Sequence, residues 1–424
     1  MGRVDVSRLD GVEQRTADML EGLVWGLVFY TFALMVGLWC YRCYSPMRQR
    51  TFLIILLCCV GHYISTAVYS KIPSDGELIF FAHASPVFHR MGTDFVNMLT
   101  WQVRHFISGD SYIITLYFFS AFAFLGSLMW YLLFIQLAKL VDISTRRYQF
   151  PALIIMCWPS YLFFTAGVGK DSLCFFLIPV MLLSLIEFMF ERKNKIRHLL
   201  VFVFSLVIVG MIRPYLFMIF AGAFILTNVK IKLSAGRLFL MLLMLPVAYY
   251  VVLWVLKSQA NMSEVSVLRI ASHAQQQQDF LSKGTSFPTF SKDPIIVLLC
   301  LPYGFIMNLT MPLFVFANNF IALVASVENS FLVWLVYKFF RNWQFFKIIN
   351  RHNAVKLCFY FFVVGMAFMG LLNTNLGLAT RQKSMYVPAF FVVAMLTWLC
   401  RKQKVREYAH IEDGPNHLAY PRTV

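Results

Sequence analysis

Charged residues are scarce in this chain. Only 13% of its 424 residues are charged, whereas 59% are hydrophobic and the mean hydropathy is +0.68. No soluble fold needs so apolar a composition. Apolar stretches of about 20 residues recur along the sequence, and stretches of that length cross a bilayer as helices. The chain is therefore predicted to be an all-α, polytopic integral membrane helical bundle, with the lipid bilayer as a partner.

Acidic residues are the scarcer of the two charged classes. The chain has 20 Asp and Glu against 37 Lys and Arg, which gives a formal net charge of +17. Such a charge would fit a nucleic-acid-binding protein. The basic residues, however, cluster in short loops between apolar runs, which is the pattern that membrane topology demands. We therefore expect no nucleic-acid partner.

Signals for disulfides and secretion are also missing. The nine cysteines lie in or beside apolar runs and form no extracellular framework, so we interpret them as small packing residues. No metal site and no cofactor is predicted. Residues 1–20 are polar and of mixed charge, without a signal-peptide pattern, and are expected to form an external N-terminal segment.

The transmembrane domain is predicted to cover residues 21–400. Its candidate spans are 21–41, 51–70, 111–138, 149–168, 172–190, 198–213, 215–229, 237–256, 294–317, 320–337, 355–373 and 384–400. Pro and Gly residues interrupt 294–317, which is therefore expected to be re-entrant or broken. About 11 full transmembrane helices remain.

The Lys and Arg residues of the short loops predict the orientation. Alternate loops are basic and are expected on the cytoplasmic side, which leaves the N-terminus external and makes 401–424 a cytoplasmic basic tail. The external loops 71–110 and 257–293 are too long to be mere connectors. Within the first, residues 95–103 are predicted to form an amphipathic helix in the membrane interface.

Several ionisable residues fall at span ends on the predicted external face. They are Asp75, Glu77, Lys170, Asp171, Arg213, Arg381 and Lys383. Ionisable groups at such positions indicate a functional site unless water or a partner explains them. Clustered Arg and Lys suit a diphosphate, which Arg can clamp with two hydrogen bonds. A carboxylate beside them suits a general base for a sugar hydroxyl.

Each of these residues also has a structural interpretation. Lys170, Arg381 and Lys383 would serve as interfacial anchors, and Arg213 would bind helix-end carbonyls across Pro214. Asp75 and Asp171 would stabilise helix N-termini. Two further acids lie inside spans: Glu187 is expected to be structural, and Glu328 has no explanation from the sequence.

Short motifs that follow one another along residues 70–400 resemble those of a known protein family. The motifs are Ser74-Asp75-Gly76, Gly92-Thr93-Asp94-Phe95-Val96-Asn97, Trp158-Pro159-Ser160, Gly167-Val168-Gly169-Lys170-Asp171-Ser172, Ile212-Arg213-Pro214 and Asn375-Leu376-Gly377-Leu378-Ala379-Thr380-Arg381-Gln382-Lys383. Their order and spacing resemble bacterial O-antigen and exopolysaccharide polymerase-like membrane proteins, related in style to the C-superfamily membrane glycosyltransferases.

The resemblance implies glycosyl transfer from a polyprenyl-diphosphate-linked donor at the external face of the inner membrane. The donor would be the partner, together with other polysaccharide-assembly proteins. An acid of the first external loop would be the catalytic base, which maps onto Asp75, with Glu77 and Asp94 as the other catalytic candidates.

External arginines would hold the diphosphate, which maps onto Arg213 and Arg381. The full predicted substrate-binding set is Lys170, Asp171, Arg213, Arg381 and Lys383. A flippase for lipid-linked oligosaccharides and a glycan ligase are the alternatives. The chain shows none of the paired halves that are common in flippases.

Overall fold

The computed structural model of the chain describes residues 6–72, 77, 79–87, 92–144, 150–190, 194–228, 301–316, 320–372 and 376–412. These residues are almost entirely helical, and no strand occurs among them. The predicted span 237–256, the loop 257–293, Asp75 and the tail beyond residue 412 lie outside the described residues. The all-α prediction is confirmed for the part of the chain that is described.

Fifteen α-helices occur in the described ranges. They are α1 (Val6–Tyr44), α2 (Gln49–Tyr69), α3 (Thr93–Val103), α4 (Tyr112–Leu140), α5 (Phe150–Met156), α6 (Pro159–Phe164), α7 (Lys170–Phe190), α8 (Lys195–Ile212), α9 (Pro214–Asn228), α10 (Leu301–Thr310), α11 (Phe320–Arg341), α12 (Trp343–Ile349), α13 (Asn353–Leu372), α14 (Leu376–Lys383) and α15 (Val387–Glu412). Short π-helical turns at Ile79–His83 and Arg104–Ser108 flank α3, and a 3₁₀ turn at Phe314–Phe316 follows α10.

Seven helices in the described ranges are long and apolar enough to cross a membrane. They lie at Met19–Tyr44, Gln49–Tyr69, Tyr112–Leu140, Lys170–Phe190, Lys195–Ile212, Ala322–Arg341 and Asn353–Gly370. The pair α14 and α15, bent by 51° at the break between them, makes an eighth if it is counted as one span. Several apolar helices of this length indicate a multi-pass membrane protein, although the predicted count of about 11 is not reached within these ranges.

Three predicted spans differ from the structure in instructive ways. The span 149–168 is two short helices, α5 and α6, because Pro159 starts a new helix after the extended Trp158. The span 215–229 is a helix of only 15 residues, α9. The described part of 294–317 is α10 followed by a non-helical stretch and a 3₁₀ turn, so this segment is interrupted where Pro312 removes a backbone donor.

Two ends of the predicted transmembrane domain also lie differently. Helix α1 begins at Val6, so part of the predicted N-terminal segment is continuous with the first span. Helix α15 continues to Glu412, so the first part of the predicted basic tail prolongs the last helix.

The buried centre of the bundle is α4, which packs against α1, α2 and α7. Gly126 allows α7 to approach closely, because a Cβ at that position would lie 2.8 Å from the carbonyl oxygen of Phe175. Helix α3, which is predicted to lie in the membrane interface, also packs against the bundle. Phe95, Val96 and Val103 of α3 are buried, and α3 contacts α8.

Helices α9, α10, α13 and α15 pack together in the second half of the chain. A close approach joins α10 and α13, where a Cβ on Gly370 would overlap the carbonyl oxygen of Gly304. Asn308 of α10 donates to the carbonyl of Met366 at 3.1 Å and to the hydroxyl of Tyr386 at 2.8 Å. These contacts fix the segment around residues 376–386 against the bundle.

A candidate anion-binding site at Asp171

The site is built around the first turn of α7. The turn before it needs glycine twice: Gly169 has a φ of +125°, and a Cβ at Gly167 would lie 2.9 Å from the Tyr69 hydroxyl. This turn places Lys170 and Asp171 side by side at the start of the helix. A carboxylate in a first helical turn is favoured by the helix dipole.

Asp171 is buried, with 2% of its side chain exposed, and accepts hydrogen bonds from two arginines. The Nη2 of Arg213 donates to Oδ1, and the Nε of Arg381 donates to Oδ2. The two arginines come from the α8–α9 junction and from α14. One carboxylate therefore joins three segments that are distant in the sequence.

Arg213 lies in the break between α8 and α9. Its φ of −142° leaves the helical region, as the residue before a proline must. The side chain, 6% exposed, donates from Nη1 to the Tyr215 hydroxyl, and its Cζ lies 5.6 Å from the centroid of the Tyr215 ring. Its contacts are thus to Asp171 and Tyr215, not to the helix-end carbonyls that the sequence left as an alternative. Its Nε has no hydrogen-bond partner among the described residues.

Lys170 links the cluster to α3. Its Nζ donates to the Oγ1 of Thr93 at 2.6 Å, and Thr93 is exposed. The preceding residue, Gly92, donates its backbone N–H to the carbonyl of Met211 at 2.6 Å. The N-terminus of α3 is therefore held beside the break that carries Arg213.

Four charged side chains of the described residues meet in this cluster. Lys170, Arg213 and Arg381 are basic, and Asp171 is the acid that both arginines contact. Arg381 keeps 22% of its side chain exposed, so the cluster reaches the surface of the bundle. The N-termini of α3, α7 and α9 also meet here, and helix N-termini favour anions. The arrangement can bind a phosphate or diphosphate.

Lys383 lies in a different environment from the other predicted binding residues. Only 5% of it is exposed, and its Nζ donates to the Oδ1 of Asn329 at 2.9 Å and to the carbonyl of Met311 at 2.6 Å. The structure therefore brings together Lys170, Asp171, Arg213 and Arg381, but it engages Lys383 in contacts between α14, α11 and the end of α10.

The structure also explains the two acids inside spans. Glu328 accepts from the backbone N–H of Ser160 at 2.7 Å and from the Ser160 hydroxyl, so it caps the first turn of α6 from another helix. Glu187 pairs with His198, whose Nδ1 lies 2.8 Å from Oε2. Glu187 is structural, as expected. A cap supplied from 168 residues away leaves no local pattern, which is why Glu328 could not be interpreted from sequence.

The three catalytic candidates differ in their position relative to the Asp171 cluster. Asp75 lies outside the described residues. Glu77 is exposed. Asp94 is in the first turn of α3, next to the Thr93 that accepts from Lys170. Of the two predicted bases that the structure describes, Glu77 and Asp94, Asp94 adjoins a residue that contacts the cluster.

Three residues of this region were not among the predicted site residues: Thr93, Tyr215 and Asn329. Thr93 lies in a motif that carried the resemblance, whereas Tyr215 and Asn329 have no signal beyond being polar groups in apolar runs.

The described residues contain no group of three or more metal-ligating side chains. Cys40 and Cys43 have the two-residue spacing of some metal sites, but both are free thiols in α1 and no third ligand joins them in the described structure. Comparisons with protein-family models, curated proteins and solved structures find no match to this chain.

Proposed function

We propose that this chain is a membrane glycosyltransferase of the polysaccharide-polymerase type. It takes a sugar or oligosaccharide from a polyprenyl-diphosphate donor in the assembly of a bacterial surface polysaccharide: O-antigen, capsule or exopolysaccharide. The observation that carries the proposal is the grouping of Lys170, Arg213 and Arg381 around Asp171, at the ends of membrane-length helices. A lipid-linked diphosphate matches both features, because its anionic head needs cations and its chain needs the bilayer.

The proposed topology is that of an inner-membrane protein with about 11 spans, an external N-terminus and a cytoplasmic C-terminus. In this topology the Asp171 cluster lies on the external face. The donor then enters sideways from the bilayer, and the acceptor glycan approaches from the aqueous side.

In the proposed reaction, Lys170, Arg213 and Arg381 hold the diphosphate. An acceptor hydroxyl attacks the anomeric carbon, the bond from that carbon to the diphosphate oxygen breaks, and polyprenyl diphosphate leaves. The three cations stabilise the charge that develops on the leaving group. The base that removes the hydroxyl proton is Asp75, Glu77 or Asp94. Asp171 acts through the arginines as a positioning residue, because its carboxylate is buried between them.

The test uses the purified full chain in detergent with a synthetic polyprenyl-diphosphate-linked repeat unit, and mass spectrometry of the products. Wild type is compared with Lys170→Gln, which removes a charge at the edge of the cluster without exposing a buried partner. Lys195→Gln, at the start of α8, is the matched control. We expect a ladder of lengthened glycans from wild type and control, and a loss of about tenfold or more in Lys170→Gln.

Two outcomes count against the proposal. Equal ladders from wild type and Lys170→Gln would remove the cluster from the reaction. Unchanged substrate with wild type, together with transbilayer movement of the donor after reconstitution in liposomes, would identify a flippase instead.

A further inference from the structure

A groove lies between α11 and α15, and Ile154 of α5 also lines it. Its volume is about 250 Å³. Four aromatic side chains line it: Phe331, Trp334, Phe339 and Trp398. Trp334 is 48% exposed, so the groove opens on the outer surface of the bundle. It lies between α11, a helix of membrane-spanning length, and α15 of the bent pair.

The opposite end of the groove is basic. Lys338 and Arg401 both line it, and no acidic residue is among its described lining residues. Arg401 donates from Nη1 to the Oδ1 of Asn342 at 3.0 Å, and Asn342 donates from Nδ2 to the carbonyl of Lys338 at 2.6 Å. This connection fixes the Arg401 guanidinium beside the backbone of Lys338. The Lys338 Nζ lies 5.6 Å from the centroid of the Trp334 ring, at the edge of the aromatic wall.

The basic end is remote from the proposed catalytic cluster. Arg401 follows the start of α15 at Val387 by about 21 Å of helix, at about 1.5 Å per residue. Arg381 precedes that start, on α14. The groove therefore belongs to the other end of the bundle and does not depend on the function proposed above.

We propose that this groove binds an anionic phospholipid, with one acyl chain along the aromatic wall and the phosphate at Lys338 and Arg401. A groove that has an aromatic wall, opens to the bilayer and ends in two basic side chains matches an acyl chain attached to a phosphate. Basic pockets between membrane helices bind anionic lipid headgroups in this way. A lysine that only anchors a helix in the interface would need neither the aromatic wall nor a fixed arginine beside it.

The experiment measures lipid binding to the purified full chain by native mass spectrometry. Phosphatidylglycerol is titrated against phosphatidylcholine with the same acyl chains. Wild type is expected to bind phosphatidylglycerol preferentially, and the Lys338→Gln/Arg401→Gln variant about tenfold more weakly. Lys347→Gln, an exposed basic residue of α12 outside the groove, is the matched control and is expected to bind as wild type does.

A charge-preserving variant controls for a folding defect. Lys338→Arg/Arg401→Lys is expected to keep the preference for phosphatidylglycerol. If the double Gln variant does not fold, Lys338→Gln alone is used, and it is expected to bind phosphatidylglycerol at least about threefold more weakly than wild type. Equal binding of the two lipids by wild type, or equal phosphatidylglycerol binding by wild type and the folded Gln variant, overturns the proposal. So does displacement of the lipid by inorganic phosphate alone, or preferential binding of a polyprenyl phosphate.

Discussion

Asp171 and Arg381 are 210 residues apart in the chain, yet the Nε of Arg381 donates to the Oδ2 of Asp171. Arg213 donates to the other oxygen of the same carboxylate. The start of α7, the break after α8 and helix α14 are therefore fixed relative to one another by a single acid. Lys170 precedes this acid at the start of α7, so three basic side chains and one acid of the described residues meet at the junction.

Replacing Asp171 by Asn should destabilise the protein strongly. The substitution keeps the volume but leaves Arg213, which is 6% exposed, without its counter-charge. Removing one partner of a buried ion pair costs about 3–5 kcal/mol. We expect a large drop in the thermal unfolding temperature of Asp171→Asn in detergent.

The Arg104–Asp110 pair provides the control for this substitution. Asp110 is 72% exposed, and an exposed pair contributes about 1 kcal/mol or less. Asp110→Asn should therefore unfold close to wild type. Similar unfolding temperatures for the two variants would mean that the Asp171 cluster is not a buried ion network.

Lys170→Gln should weaken the binding of inorganic diphosphate with little change in stability. Lys170 is only partly buried and its partner Thr93 is exposed, so its loss leaves no buried charge unpaired. One charge-assisted hydrogen bond to phosphate contributes about 1.5–3 kcal/mol, which corresponds to roughly tenfold or more in affinity. Isothermal titration calorimetry on wild type, Lys170→Gln and Lys195→Gln measures this difference. Identical affinities in all three proteins would place the anion elsewhere.

The sequence carried enough information to predict the helices but not their connections. Apolar length identified α1, α2, α4, α7, α8, α11 and α13, because a span has to be long and continuously apolar. It failed at Trp158 and Pro159, where an apolar run of sufficient length contains a helix break that composition alone does not reveal.

The positions of charged residues at the ends of apolar runs predicted most of the cluster. This criterion selected Lys170, Asp171, Arg213 and Arg381. The same signal also selected Lys383, which the structure places against Asn329 and Met311. Position in the sequence cannot separate Arg381 from Lys383, because two residues along a helix change the direction of a side chain by about 200°.

Lys383→Met should lower stability and leave diphosphate binding unchanged. The lysine donates one hydrogen bond to buried Asn329 and one to the half-buried carbonyl of Met311, each worth roughly 1 kcal/mol in a membrane protein. Its Nζ is engaged with the protein and not with the Asp171 cluster. We expect a lower unfolding temperature and a diphosphate affinity within about twofold of wild type. A loss of affinity as large as that of Lys170→Gln would return Lys383 to the binding set.

Glu328→Gln should be tolerated much better than Glu328→Ala. Gln retains a side-chain oxygen that can accept from the Ser160 N–H, whereas Ala leaves that donor of α6 without a partner. An unsatisfied buried donor costs about 1–3 kcal/mol. Thermal unfolding of both variants and wild type measures the difference. If Gln and Ala lowered the unfolding temperature equally, the negative charge of Glu328 would matter more than its capping hydrogen bond.

Gly370→Ala should separate α10 from α13. An added Cβ would overlap the carbonyl oxygen of Gly304, and this neighbour is backbone that cannot rotate away. Overpacking of this kind costs about 1–3 kcal/mol or more. Gly222→Ala is the matched control, because the described residues place only a side-chain methyl of Val364 near a Cβ there, at 3.5 Å, an ordinary van der Waals contact. A lower unfolding temperature for Gly370→Ala but not Gly222→Ala is the expected result. Equal stability of the two variants would mean that the backbones of α10 and α13 do not touch, and the contacts that Asn308 makes with Met366 and Tyr386 would lose their support.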